Sequence, residues 1–154
     1  MIFRDRLVAG FTAGAVGGIA MNVFAQIAWF LHLTQVRYLD WAAVLLYGHR
    51  PHGFGEAAFA QIVQIVFTGI LGIAFAYLVP LISSRHYLFR GIVFGLTAWF
   101  LIYSMTLLYG LHTVVQLELL TVAVDFVGSV VFGLVLAATL NALEEKIDDP
   151  KSKI

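Results

Sequence analysis

The chain contains no cysteine. That absence excludes disulfides, thiolate metal sites and cysteine nucleophiles together. Charge is scarce as well: 12% of the 154 residues are Asp, Glu, Lys or Arg, and the formal net charge is zero. No lysine precedes Lys146. A chain this poor in basic residues has no surface for a polyanion, so nucleic acid is not an expected partner. Apolar surface takes the place of charge. Hydrophobic residues make up 61% of the sequence, where soluble domains carry about 45–50%. A water-soluble fold could not hide that much, and the lipid bilayer is the expected solvent. The length suits a single integral membrane domain, 1–154.

A membrane span needs roughly 20 mainly apolar residues. Four stretches qualify: 7–33, 57–80, 88–110 and 117–143. Arg4 and Arg6 resemble the basic start of a signal peptide, but the apolar run after them is about 26 residues against roughly 7–15 for a signal core, so a retained span is expected. The polar breaks are clear. Residues 34–56 hold Arg37, Asp40, His49, Arg50, His52 and Glu56; residues 80–90 hold Ser83, Ser84, Arg85, His86 and Arg90. A solvated cytoplasmic tail, 144–154, is expected at the end. Orientation follows from Lys and Arg rather than net charge. With the N-terminus inside, Arg4, Arg6, Arg85, Arg90, Lys146, Lys151 and Lys153 are cytoplasmic and only Arg37 and Arg50 external, seven against two.

The expected fold is therefore an all-α membrane protein: a four-transmembrane-helix bundle, N-in/C-in. A short interfacial helix is expected at about 39–48 in the first external loop. That segment is aromatic and too short to span; Asp40 suits its start and Gly48 its end. A shallow re-entrant segment is the rival reading.

Small and polar residues are distributed unequally along the spans. Gly10, Gly14 and Gly18 recur every four residues, Gly69 and Gly72 share a face, and so do Gly91 and Gly95, with Gly133 in the fourth span. Such ridges let helix backbones approach closely, and they fall in the cytoplasmic half. Polar residues collect toward the other half: Asn22 and Gln26, Gln61 and Gln64, Tyr103 and Thr106, and the stripe Glu118, Thr121, Asp125 and Ser129. At 1.5 Å rise per residue, Gln26, Gln64, Tyr103 and Asp125 each fall roughly 6–8 Å beyond the midplane. Lipid-facing polar groups are costly. These side chains either bond one another as helix glue or line a polar cavity open to the external side. Asp125 favours the second reading, because an ionisable group inside a span is a functional candidate by default. Its structural alternative is a bond to Gln64 or Tyr103.

His32, His49, His52 and His112 also map to the external face, with Glu56 and Glu118 at the same level. Imidazole and carboxylate together suit a borderline metal or haem, with His32, His49, His52, His112 and Glu56 as the candidate ligands; ordinary interfacial roles are the competing reading. Neither a His-Glu-x-x-His nor a Glu-x-x-His pattern is present. No serine has a His and a carboxylate at sensible spacing, and no Gly-rich phosphate loop occurs. The sequence thus supplies no catalytic arrangement.

Four segments carry a resemblance: AGFTAGAVGGIAMN in the first span, YGHRPHGFGEAAFAQIVQIVFTGILGIAFAYLVP through the second, RGIVFGLTAW opening the third and DFVGSVVFGLVLA in the fourth. The pattern resembles poorly characterised bacterial inner-membrane proteins of the YagU/YqhR kind. The resemblance implies a multi-pass four-helix protein of the inner membrane and brings no reaction with it. Three functions are carried forward. The first is a non-enzymatic binding or accessory protein, with an outward polar cavity formed by Asn22, Gln26, Gln61, Gln64, Tyr103, Glu118 and Asp125, self-associating or docked on a larger membrane complex. The second is a small oligomeric transporter or channel using Asp125 and Glu118. The third is a metal- or haem-binding redox component. The charge bias predicts that a reporter fused after Ile154 is active only if it matures in the cytoplasm; activity of an exported reporter at that position reverses the topology.

Overall fold

The computed structural model describes residues 5–81, 86–110 and 118–148. It is all-helical over them. The helices are α1 (Arg6–Phe30), α2 (Tyr38–Tyr47), α3 (Phe54–Leu78), α4 (Tyr87–Leu108) and α5 (Leu119–Asp148), and a 3-10 turn, Val79–Leu81, extends α3. Four of these are long and apolar enough to cross a membrane, and α2 is the short apolar helix between the first two.

Local chemistry sets the ends. Asp5 accepts the Leu7 N–H at 2.9 Å and starts α1. α1 ends at Phe30, three residues before the expected limit, because His32 turns into a left-handed conformation (φ 56) and Leu33 N–H reaches back to Ala28 O at 2.9 Å. α2 begins one residue earlier than expected, and Asp40 is not its N-cap. It lies in the first turn and reaches back to the Arg37 backbone N–H at 2.8 Å and to the Arg37 guanidinium at 3.1 Å, the acidic half of a capping box. Gly48 closes the helix at φ 77, as its position suggested. α5 departs most from expectation. It continues through Asp148, so the first part of the expected tail, 144–148, is helical. Glu144, Glu145 and Lys146 are strong helix formers and nothing before Pro150 opposes them. The remainder of the expected tail, 149–154, lies outside the described residues.

The long helices pack in the order α3–α1–α5–α4. The contacts are made by small residues. A Cβ placed on Gly10 would lie 2.8 Å from Gly72 O, and one on Gly72 2.6 Å from Gly14 N. The same close approach joins Gly91 and Gly95 of α4 to Gly133 and Ser129 of α5, and Gly17 of α1 to Phe132 and Leu136 of α5. Around this seam sits a core of Ala9, Ala13, Met21, Phe75, Ala76, Phe132, Leu136, Ala137 and Leu140. Large aliphatic and aromatic side chains face outward instead, among them Ile19, Val23 and Ile27 of α1, Phe59, Ile62 and Ile70 of α3, and Phe89, Val93 and Phe100 of α4. Such inversion is stable in hydrocarbon, where close backbone packing rather than apolar burial joins helices.

The glycine seams lie toward the end of the bundle where α1 starts and α5 ends. There Phe75 of α3 meets Tyr87 and Phe94 of α4, with ring centroids 6.2 and 5.2 Å apart, and Arg90 Nη1 donates to Val79 O at 3.1 Å, capping the exit of α3. At the opposite end α2 packs on α3 and reaches across to α5 and α4: Tyr38 OH donates to Asp125 O at 2.9 Å, and the Trp41 and Tyr103 rings lie 5.9 Å apart. Gly72→Leu is expected to lower stability by about 3 kcal/mol, the upper part of the usual overpacking range, since backbone on the facing helix cannot yield. Gly55→Ala, where a Cβ meets nothing within 4 Å, is expected to leave the thermal midpoint in detergent unchanged or slightly raised.

Candidate functional site

Because α3 and α4 stand at the two ends of the row, a space remains between them. It encloses about 260 Å³. α1 and α5 form its floor with Met21, Asp125, Ser129 and Phe132, α3 one wall with Val63, Gln64, Phe67, Thr68 and Leu71, and α4 the other with Ala98, Trp99, Ile102, Tyr103 and Thr106. Tyr38, Trp41, Ala42, Leu45 and Leu46 of α2 roof it at one end. The aromatic contacts of Phe75 close the other end. Phe67 of α3 and Ile102 of α4 line the space and are themselves exposed, at the gap between the two helices.

This differs from the cavity expected from sequence in two ways. The end expected to be open is covered by α2, and the exposed lining is almost wholly apolar. The reason is that most of the polar side chains are spent on one another. Asn22 Nδ2 donates to Gln64 Oε1 at 2.6 Å and to Gly18 O at 2.8 Å, and Gln61 Nε2 donates to the same Gln64 oxygen at 3.2 Å. These amides bind α1 to α3. Gln26, one turn further along α1, is half-buried and outside that group. Ser129 donates to Phe126 O at 2.6 Å, and Thr121 meets Thr34, 3.4 Å between hydroxyls. Thr121 and Thr34 are both buried.

Asp125 is buried at 2% exposure. Neither expected partner bonds it. Its carboxyl interacts with the Trp41 side chain instead, because α2 folds over α5 and carries the indole there. Gly128 makes this approach feasible: a Cβ at that position would lie 3.1 Å from the Tyr38 ring. Glu118 does not line this space. It is exposed, accepts from Gln35 Nε2 at 3.1 Å, and stands about 10 Å along the helix from Asp125, with the buried Thr34–Thr121 pair between them.

Two further groups matter, one of which sequence reasoning passed over. Trp99 Nε1 and the Tyr103 hydroxyl are buried and have no hydrogen-bond partner among the described residues. Both residues line the cavity, with rings 5.2 Å apart. Tyr103 was expected here. Trp99 was not, although its place one helical turn before Tyr103 is a readable signal; so is the pair Tyr38 and Trp41, whose aromatic character pointed only to the headgroup layer.

Of the expected metal ligands, the structure brings together His49, His52 and Glu56, whose donor atoms all lie within 4.8 Å of one another. His32 is exposed at the exit of α1 and is not in that group. His112 lies outside the described residues.

The model of the conserved membrane protein family YqhR matches residues 4–152. The chain belongs to that family. The YqhR half of the sequence resemblance is thereby borne out, and nothing is added for YagU. No match emerges among curated proteins or solved structures. The family is described as a conserved membrane protein, which agrees with four candidate spans and leaves the role to be argued from the site. The amide bonds yield a direct test: Asn22→Leu should cost about 0.6–1.7 kcal/mol, and a double-mutant cycle with Gln64→Leu in detergent melts should recover a coupling of that size.

Proposed function

We propose that the protein is a non-enzymatic membrane binding protein that takes up a lipid-like amphiphile between α3 and α4. In this reading it lies in a bacterial inner membrane with both termini cytoplasmic and α2 on the external side. An apolar tail enters sideways from the bilayer and lies along Phe67, Leu71, Ile102 and Phe132. The observation that carries the reading is the pair of unpartnered donors, Trp99 Nε1 and Tyr103 OH, beneath an otherwise apolar lining. A buried donor left unpaired costs about 1–3 kcal/mol, and an acceptor oxygen on the ligand's head repays that cost once the two rings turn toward it. The volume lies just below the roughly 300–1,000 Å³ of small-molecule sites, which suits one chain segment rather than a bulky ring system. Asp125 and Trp41 hold the roof over the head-binding end.

Protein purified from its own membranes and sprayed in native mass spectrometry should retain a bound amphiphile that survives detergent exchange. Ala98→Phe, which fills the space, should abolish the adduct. Trp99→Phe with Tyr103→Phe, which removes two donors and keeps both rings, should reduce retention by on the order of tenfold or more, at about 1 kcal/mol per hydrogen bond. An adduct pattern identical in wild type and Ala98→Phe rules the cavity out as the binding place.

A further inference from the structure

The α2–α3 loop carries chemistry that the cavity does not use. Gly48 turns the chain out of α2, and five residues later Gly53 starts α3. Between them, His49 and His52 face each other with ring centroids 4.2 Å apart. The His49 Nδ1 lies 2.8 Å from Arg50 O. A carbonyl oxygen only accepts, so Nδ1 carries the proton and Nε2 keeps a free lone pair. That is the orientation in which backbone-anchored histidines bind metals. Glu56, in the first turn of α3, is held by the same loop: its Oε2 accepts the His52 backbone N–H at 2.9 Å and stands 3.8 Å from His52 Nδ1. The Tyr47 ring stacks against His49 at 5.9 Å and limits its rotation.

We infer that His49, His52 and Glu56 form a binding site for one borderline divalent transition-metal cation, of which Zn²⁺ is the representative. Two imidazole nitrogens and one carboxylate oxygen are the donor set such ions select, whereas Mg²⁺ and Ca²⁺ take oxygen ligands. Donor atoms already within 4.8 Å of one another need only side-chain adjustment to converge on one ion. Water completes the coordination, because His52 is open to solvent, with 75% of its side chain exposed. The ion would tie the loop at the exit of α2 to the first turn of α3, adding to the packing of α2 on α3.

The test uses the full chain in detergent, carrying an affinity tag without histidines, stripped with a chelator and titrated with Zn²⁺ alone against a chromophoric competitor. Wild type should bind one Zn²⁺ per chain, and its thermal midpoint should rise with Zn²⁺. His49→Ala, His52→Ala and Glu56→Gln should each weaken binding roughly tenfold or more, and His86→Ala should not. Co²⁺ bound to wild type should show a visible d–d spectrum that His49→Ala removes. Melting of the metal-free variants at the wild-type temperature establishes that they are folded. Equal Zn²⁺ affinity in wild type and in the His49→Ala/His52→Ala double variant overturns the assignment, as does a Zn²⁺-dependent midpoint that the double variant retains.

Discussion

The structure depends on backbone-to-backbone contact at glycine. In hydrocarbon, burying another leucine gains nothing that lipid does not already provide, so helices join where their axes can come close. Gly10 and Gly14 against Gly72, and Gly91 and Gly95 against Gly133, create two such seams. Any side chain there would strike the facing main chain. The seams lie toward one end, and the helices are free to part toward the other. The cavity is the geometric consequence: four long helices arranged as a row, pinned at one end, leave α3 and α4 apart, and α2 covers the gap from above.

The polar groups obey a second constraint from the same solvent. Without water to satisfy them, Asn22, Gln61, Gln64, Ser129, Thr34 and Thr121 bond each other or the main chain. That leaves the cavity surface apolar even though polar residues surround it. Trp99 Nε1 and Tyr103 OH are the exceptions on its lining, which is why they, rather than the amide cluster, carry the functional reading. The histidine loop follows different rules because it lies outside the spans, where an exposed donor set costs nothing to maintain.

Much of this could be read without coordinates. Long apolar runs announce spans because twenty hydrophobic residues have few other stable places. Gly48 announced the end of α2 because few other residues adopt φ 77 readily. The structure added detail where a local signal had two structural solutions. Asp40 suits an N-cap and an N3 position equally well by composition, and the contact with Arg37 decided between them. Glu144 to Lys146 suit a solvated tail as well as a helix end. Asp125 and Glu118 share one helical stripe in sequence, yet one is buried beneath α2 and the other exposed at the bundle end.

The sequence by itself determined the solvent of this protein, the number of its spans, the short helix between the first two, and the faces on which backbones meet. Each is a property of composition or spacing within one segment. Only the tertiary structure decided which ridge meets which, that Trp41 reaches Asp125, that Gln64 is taken by Asn22, and that the cavity surface is apolar. Small-residue ridges are nearly interchangeable as partners. Their pairing is selected by the packing of the whole bundle, and no single segment contains it.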